Sequence, residues 1–261
     1  MIVVKFGGHA MKDENGHFSD AIAQALKTGE SVVVVHGGGP QIDAALKSAG
    51  ISSHFIGGFR VTTPEIFNVV EAVLAGEIGP ALAQRLRDSG VSALSLSGKA
   101  DRILVARKLA TLVDGKPADL GLVGEVVTVN TGPLLDALSK NEVVVLSPIA
   151  ISEDGIHGFN VNADLAAAAV AGALGATQLV VMTDVPGIYE RWPDASTLIA
   201  AISASELEQM KDTFKEGMAP KVKACLDAIA HGARAVRVID GTDPRAFAKA
   251  LAGKGGTLVT A

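Results

Sequence analysis

The chain has 261 residues, of which 48% are hydrophobic and 20% charged, and its formal net charge at pH 7 is −5. This length fits one large α/β domain or two coupled lobes with a substantial buried core. Acidic and basic residues are interspersed, which excludes an extended basic surface for nucleic acid. Any anion site must therefore be local, built from a few cationic side chains and backbone N–H groups.

Rare residue types limit the chemistry further. Cys225 is the only cysteine, which excludes an intrachain disulfide and a multi-cysteine zinc site. Its helical surroundings favour a buried thiol over a nucleophile. The six histidines show no metal-ligand spacing, and we interpret them as structural or surface residues. No signal peptide and no apolar run of membrane-spanning length is evident, so we expect a cytoplasmic protein without a membrane partner.

Short β-branched runs alternate with longer segments of helical period, which is typical of parallel strands joined by crossover helices. Most runs are apolar throughout, as strands covered on both faces should be. The stretch from Arg102 to Asn130 is more irregular and predicts hairpins or an excursion at the edge. The predicted strands are, in chain order, Ile2–Lys5, Val32–Val35, Ala93–Ser97, Val143–Ser147, Gln178–Thr183 and Ala235–Ile239.

Capping residues mark the predicted helix starts. Ser19 is expected to cap the first helix, and Thr63-Pro64 and Asp243-Pro244 each place a cap before a proline in the first helical position. Ser205 with Glu208 resembles a capping box.

An Ala-rich helix is predicted from Asp164 to Leu174, and it ends at Gly175. No low-complexity linker divides the chain. If there are two lobes, we expect them to share one sheet, with a boundary near Gly175 that gives lobes 1–175 and 176–261.

Two predicted strands end in clustered glycines. Lys5-Phe6-Gly7-Gly8 follows the first, and His36-Gly37-Gly38-Gly39 follows the second before Pro40 opens a helix. Open parallel sheets bind ligands at the carboxyl ends of their strands, and bare N–H groups at a helix N-terminus favour anions. A tight strand-to-helix turn is the alternative. The repetition favours a phosphate or carboxylate site, although neither GxGxxG nor GxxxxGK[ST] fits the spacing.

A second polar cluster precedes the Ala-rich helix. Asn160, Asn162 and Asp164 alternate along the chain, so in an extended approach they face one direction. Capping explains any one of them, and a polar-substrate site explains the three together.

Two further segments could meet the same ligand. Pro220 suits the first helical position and puts Lys221 in the first turn, where a nearby anion would favour a cation. A solvated lysine is the alternative. The segment 184–189 follows a strand and is either a plain turn or the wall of a nucleotide pocket.

Together these segments resemble the amino-acid kinase family, and within it the acetylglutamate kinases. The resemblance implies a three-layer α/β/α sandwich around a mainly parallel open sheet. It also implies that lobe 1–175 binds the acceptor and forms a homodimer, while lobe 176–261 binds ATP. The matching segments, in the family's order, are VVKFGG, VVVVHGGGPQID, GGFRVT, DLGLVGEV, FNVNAD, TDVPGIY, EGMAPKVKACLDA and GGTLV.

The resemblance further implies ATP-dependent phosphorylation of the side-chain carboxylate of N-acetyl-L-glutamate in arginine biosynthesis. Lys5 and Lys221 would hold the phosphates and stabilise the transferring group, Asp164 would orient both lysines, and Gly8 and Gly38 would donate N–H groups. Arg60 would clamp the carboxylate that does not react. The implied acceptor-binding residues are Gly38, Gly39, Arg60, Asn160 and Asn162. The implied nucleotide-binding residues are Asp184, Val185, Pro186, Gly187, Ile188, Tyr189, Thr213, Phe214 and Lys215.

The chemistry agrees with this reading. A carboxylate with a reference pKa near ~4 is already ionised at pH 7, so the reaction needs no general base. Lysines, aimed N–H groups and Mg²⁺ supply the charge stabilisation that phosphoryl transfer requires. We expect Mg²⁺ to be carried mainly by the ATP phosphates, without a metal site of the protein's own.

The sequence departs from the family pattern at Gly76-Glu77-Ile78-Gly79-Pro80, where many members have an asparagine. It also begins close to Lys5, without the N-terminal helix of arginine-sensitive hexamers, so no arginine-sensitive hexamer is expected.

Three rival functions stand beside this reading. A sister kinase would act on carrier-bound aminoadipate or glutamate in lysine biosynthesis. A catalytically silent regulator would bind nucleotide on the same fold. A dehydrogenase is the third, and it is disfavoured because this sequence lacks the glycine fingerprint of dinucleotide-binding enzymes.

Overall fold

The computed structural model describes residues 1–7, 15–191, 193–214 and 218–261. An eight-stranded sheet forms its centre. Its neighbouring strands pair in parallel with one exception, the antiparallel pair of Ala235–Asp240 with Thr257–Thr260. In spatial order its strands are β12 (Ala201–Ser203), β14 (Thr257–Thr260), β13 (Ala235–Asp240), β11 (Gln178–Thr183), β1 (Ile2–Phe6), β2 (Val32–His36), β8 (Val143–Ser147) and β5 (Ala93–Ser97).

Helices cover both faces of this sheet and bury its apolar side chains in two core clusters. The expected three-layer α/β/α fold with a mainly parallel sheet is thereby confirmed. On one face lie α1 (His17–Lys27), α2 (Gly39–Ser48), α3 (Pro64–Glu71), α4 (Gly79–Asp88) and α9 (Ala246–Leu251). On the other lie α5 (Gly132–Ser139), α6 (Ala163–Ala173), α7 (Ala204–Met210) and α8 (Met218–Ala230).

The remaining described strands form a small closed sheet and a separate two-stranded hairpin. The stretch from Arg102 to Asn130, which was predicted to contain hairpins or an edge excursion, contributes two strands of the closed sheet. These are β6 (Leu104–Lys108) and β7 (Val123–Val129), which pair antiparallel as expected of a hairpin. They close with β9 (Ile149–Ser152) and β10 (Gly158–Val161). The hairpin consists of β3 (Phe55–Ile56) and β4 (Phe59–Arg60).

Each of the six strands predicted from sequence is present with ends within one residue of those predicted. The strands β1, β2, β5 and β8 precede Gly175 and form one half of the large sheet, while those that follow Gly175 form the other half. This order is compatible with two lobes that share a sheet, and the lobe boundary stays a prediction.

Capping was predicted correctly at one helix. The Thr63 hydroxyl accepts from the N–H of Ile66 at 3.2 Å and starts α3. Ser19 was predicted wrongly as a cap, because α1 already begins at His17 and Ser19 is buried within it.

Two other predicted helix starts are displaced. The capping box is formed by Ser203 and Glu206 rather than by Ser205 and Glu208, because Ser203 is the last residue of β12, where the backbone is still extended. Asp243 accepts from the N–H of Arg245 in a turn, and α9 begins only at Ala246.

A π-helical segment, Ala72–Ile78, joins α3 and α4 into one helical stretch, Pro64–Asp88. Contrary to expectation, this stretch is long and apolar enough by length and composition to cross a membrane. Half of the most apolar part of this stretch is buried, and α4 packs on β5 and β8. Its apolar residues therefore belong to the core around the sheet.

Candidate active site

The two glycine turns contact each other at the carboxyl ends of β1 and β2. The N–H of Gly37 donates to the carbonyl oxygen of Phe6 at 2.8 Å. A Cβ added to Gly37 would lie 3.6 Å from Cα of Gly7 and 4.0 Å from Cβ of Ala163. Both distances are ordinary van der Waals contacts, and they place the two turns against each other and against Ala163 at the N-terminus of α6.

Asp164, in the first turn of α6, lies between two lysines. Its Oδ1 is 3.2 Å from Nζ of Lys5 on β1, and its Oδ2 accepts from Nζ of Lys221 on α8 at 3.0 Å. Lys5 also donates to the carbonyl oxygen of Met182 at 3.3 Å, at the end of β11. The fold thus assembles these three predicted residues into one cluster.

This cluster carries excess positive charge in a buried place. Asp164 is 5% and Lys5 is 9% exposed. Burial alone would raise the pKa of Asp164, but Lys5 and Lys221 together lower it to about 2. One ionised carboxylate therefore pairs with two lysines and leaves one positive charge uncompensated, which is unfavourable in a largely buried site. An anion such as a polyphosphate would supply the missing charge.

The depressed pKa of Asp164 predicts how stability depends on pH. Because the folded-state pKa lies near 2 and the reference value is 3.8, ionised Asp164 stabilises the fold by ~2 kcal/mol above about pH 5. This contribution is lost as pH falls through the folded pKa. We expect the difference in unfolding free energy between the wild type and Asp164→Asn to be constant from about pH 8 to 5 and to shrink between about pH 4 and 2. Urea unfolding at each pH measures it, and a slope above about pH 5 would contradict the assignment.

Asn162 is the N-cap of α6. Its side-chain oxygen accepts from the N–H groups of Asp164 at 2.9 Å and Leu165 at 3.2 Å. Because the cap uses this oxygen, only the amide nitrogen is left for a substrate. Asn162 therefore fixes the helical turn that carries Asp164. Its role in binding the acceptor substrate stays a prediction.

Arg60 is buried, with 6% of its surface exposed. Its Nη1 donates to Oδ1 of Asp43 at 2.7 Å and to Oγ of Ser53 at 2.5 Å. The guanidinium also lies 4.5 Å from the ring centroid of Phe55. Sequence reasoning missed Asp43 and Ser53, although Asp43 stands at the end of the glycine motif quoted for the resemblance.

Thr62 links Arg60 to Asn160. Its hydroxyl donates to the carbonyl oxygen of Arg60 at 2.7 Å and accepts from Nδ2 of Asn160 at 3.2 Å. Two of the predicted acceptor-binding residues are thus joined through one threonine that the sequence did not single out.

Gly38 and Gly39 begin α2, Gly38 as the N-cap and Gly39 as the first residue. A Cβ on Gly38 would lie 2.5 Å from Cδ1 of Ile78 and 2.6 Å from Cδ2 of Leu74. The π-helical segment therefore packs on the glycine turn, a placement that sequence periodicity did not reveal. Such segments are frequent at functional sites.

The predicted nucleotide segment begins at the same sheet edge, since β11 is the neighbour of β1. Asp184 is exposed and accepts from the hydroxyl of Thr183 at 3.0 Å. Ile188 and Tyr189 are buried, so their side chains belong to the core. Of this segment, Asp184, Val185 and Pro186 are exposed or half-buried, whereas Gly187 is buried.

The second predicted nucleotide segment is described only in part. Thr213 is exposed and donates to the carbonyl oxygen of Met210 at 2.7 Å, while Phe214 packs on the core. Lys215 lies outside the described residues, as does Gly8 of the catalytic set.

A profile of the amino acid kinase family matches residues 1–240. This chain belongs to the amino-acid kinase family. An acetylglutamate kinase of Nocardia farcinica is 44% identical to this amino-acid kinase over 264 residues, covering 100% of this chain and 87% of the relative. An acetylglutamate kinase of Streptomyces coelicolor is 45% identical over 242 residues, covering 92% and 79%.

Solved structures agree on the fold of this amino-acid kinase. The protein smu.665 of Streptococcus mutans superposes with a TM-score of 0.83 at 29% identity, covering 99% of this chain and 98% of that one. Giardia carbamate kinase has a TM-score of 0.71 at 19% identity, with coverage of 99% and 98%. At this lower identity the likeness concerns the fold alone.

Proposed function

We propose that this amino-acid kinase transfers the γ-phosphoryl group of ATP to the side-chain carboxylate of N-acetyl-L-glutamate. The products are N-acetyl-L-glutamyl 5-phosphate and ADP, in arginine biosynthesis. The observation that carries the proposal is the buried carboxylate of Asp164 between Lys5 and Lys221, beside the glycine turns. Relatives about 45% identical that are named acetylglutamate kinase support the choice of acceptor.

The geometry suits direct transfer. A carboxylate oxygen of the acceptor forms a bond to the γ-phosphorus while the bond to the bridging oxygen breaks, and that electron pair stays on ADP. The acceptor is ionised at neutral pH, so no group has to remove a proton. Lys5 and Lys221 neutralise the charge on the phosphoryl oxygens and on the leaving group, and the N–H of Gly38 stabilises the transferring group.

Within the described residues, no group of three His, Cys, Asp or Glu side chains could hold a metal ion. We propose that Mg²⁺ enters with ATP as part of the substrate. We further propose that lobe 1–175 binds the acceptor and provides the homodimer contact, that lobe 176–261 binds ATP, and that the enzyme works in the cytoplasm.

Arg60→Ala is expected to raise the KM for N-acetyl-L-glutamate by about 10- to 100-fold, the range of a lost charge-assisted hydrogen bond. Turnover should change little, because the proposed contact is with the carboxylate that does not react. Initial rates at varied acceptor concentration measure both constants. Arg107→Ala is the matched control, because Arg107 forms an exposed ion pair with Glu125, and it should leave KM unchanged. A fall in kcat with an unaltered KM in Arg60→Ala would contradict the role.

The deciding experiment is to incubate the protein with Mg-ATP and N-acetyl-L-glutamate and to trap acyl phosphate with hydroxylamine. Glutamate, aspartate and aminoadipate are tested in parallel. A hydroxamate with acetylglutamate alone supports the proposal. A hydroxamate with none of them contradicts it and turns attention to carrier-bound acceptors, then to a silent regulator.

A further inference from the structure

His36 is a buried histidine that the proposed transfer step does not use. It is the last residue of β2, and its side chain has no exposed surface. Its Nδ1 lies 2.9 Å from the carbonyl oxygen of Gly37, and its Nε2 lies 2.8 Å from Oγ of Ser147 at the end of β8. Both ring nitrogens therefore have partners on the main sheet's carboxyl edge.

The partners determine which nitrogen carries the proton. A carbonyl oxygen can only accept, so Nδ1 must donate to Gly37. Burial lowers the pKa of His36 to about 4, against the opposing effect of the Gly37 hydrogen bond. The ring is therefore neutral at physiological pH, and Nε2 accepts from the hydroxyl of Ser147.

The hydroxyl of Ser147 is available for this bond. Ser147 Oγ is also placed to donate to the carbonyl oxygen of Leu74 at 3.0 Å, but its single proton serves one acceptor, and with Nδ1 as the donor to Gly37 that proton goes to Nε2. The carbonyl oxygen of Leu74 already accepts from the N–H of Gly79 within the π-helical segment. Every buried group in this network is then satisfied by a neutral imidazole that is protonated on Nδ1.

The hydrogen bond to Gly37 fixes a peptide plane in the candidate active site. The carbonyl of Gly37 and the N–H of Gly38 belong to one trans peptide and point in opposite directions. Glycine on both sides leaves this peptide free of side-chain restraint. Among the described residues, the N–H of Gly38 donates to no protein acceptor. Holding the carbonyl on the imidazole therefore directs the free N–H away from His36.

We propose that His36 is a positioning residue that aims the N–H of Gly38 at the transferring phosphoryl group by holding the carbonyl of Gly37. The proposal rests on the phosphotransfer function proposed above. His36 touches neither substrate; its effect passes through the Gly37–Gly38 peptide.

Two substitutions separate the two hydrogen bonds of the ring. In His36→Asn the amide nitrogen is bonded to Cγ, as Nδ1 is, so it can still donate to Gly37. In His36→Gln the amide nitrogen stands one bond farther out, as Nε2 does, so it can meet Ser147 but not Gly37. Ser147→Ala removes the hydrogen bond at Nε2 and leaves the hydrogen bond from Nδ1 to Gly37 in place.

We expect His36→Gln to lower kcat by about 10²-fold, the lower end of the effect of losing one oxyanion donor. The KM values for Mg-ATP and for acetylglutamate should change less than about threefold, because ground-state contacts are kept. His36→Asn should restore kcat to within about fivefold of the wild type, and Ser147→Ala should keep kcat while lowering the melting temperature. Thermal unfolding and ATP affinity are measured for all three to confirm that each variant is folded.

The outcomes separate this proposal from the function on which it rests. An inactive wild type would refute the proposed function. An active wild type whose kcat falls equally in His36→Asn and His36→Gln would overturn the positioning role and leave a packing role. So would a Ser147→Ala variant that loses kcat as strongly as His36→Gln.

Discussion

Asp164→Asn is expected to lower kcat by about 10³-fold, because one substitution releases both cations that the proposed transfer step uses. Asparagine keeps the shape of the side chain and removes its charge. Lys5 and Lys221 would then lie close together without a shared anion, and their mutual repulsion would displace them from the phosphate oxygens. Steady-state kinetics with Mg-ATP and acetylglutamate measure the effect.

The same substitution should lower the free energy of unfolding near pH 7 by about 3–5 kcal/mol, because it removes the ~2 kcal/mol that ionised Asp164 contributes and also leaves two lysines without their shared partner. Asp227→Asn is the matched control, because Asp227 pairs with Lys223 at 2.7 Å on a half-exposed helix surface. The control should cost less than about 1 kcal/mol and should leave kcat unaltered. An Asp164→Asn variant with normal kcat would show that the cluster is structural only.

Lys221→Ala is expected to lower kcat by about 10²- to 10³-fold with little change in the KM for acetylglutamate. The reason is charge: the cluster loses its excess cation, and Asp164 then neutralises Lys5. Binding of ATP should weaken less than turnover, because the developing charge on the leaving group is largest in the transition state.

Lys223→Ala provides the control on the same helix, since Lys223 is held by Asp227 rather than by Asp164. It should retain kcat to within about twofold. If Lys221→Ala raised only the KM for the acceptor, Lys221 would be a binding residue and the proposed mechanism would be wrong.

Local sequence determined the elements that position this site. The strands β1, β2 and β8 were predictable because β-branched runs that are apolar throughout must be covered on both faces. The glycine turns after β1 and β2 were predictable because clustered glycines directly follow two apolar strand patterns. Lys5, Asp164 and Lys221 were singled out by position, and the family resemblance gave them roles.

Tertiary structure decided how these residues meet. Lys221 lies 57 positions from Asp164 along the chain, yet donates to it, and no local pattern encodes such a pairing. Two further sets of hydrogen bonds also form only in the folded chain. Arg60 donates to Asp43 and Ser53, and His36 on β2 bonds with Ser147 on β8. The π-helical segment also escaped prediction, because its geometry depends on packing against the glycine turn. Short-range propensity fixes where elements form, while packing between distant elements fixes which polar groups share hydrogen bonds and charge.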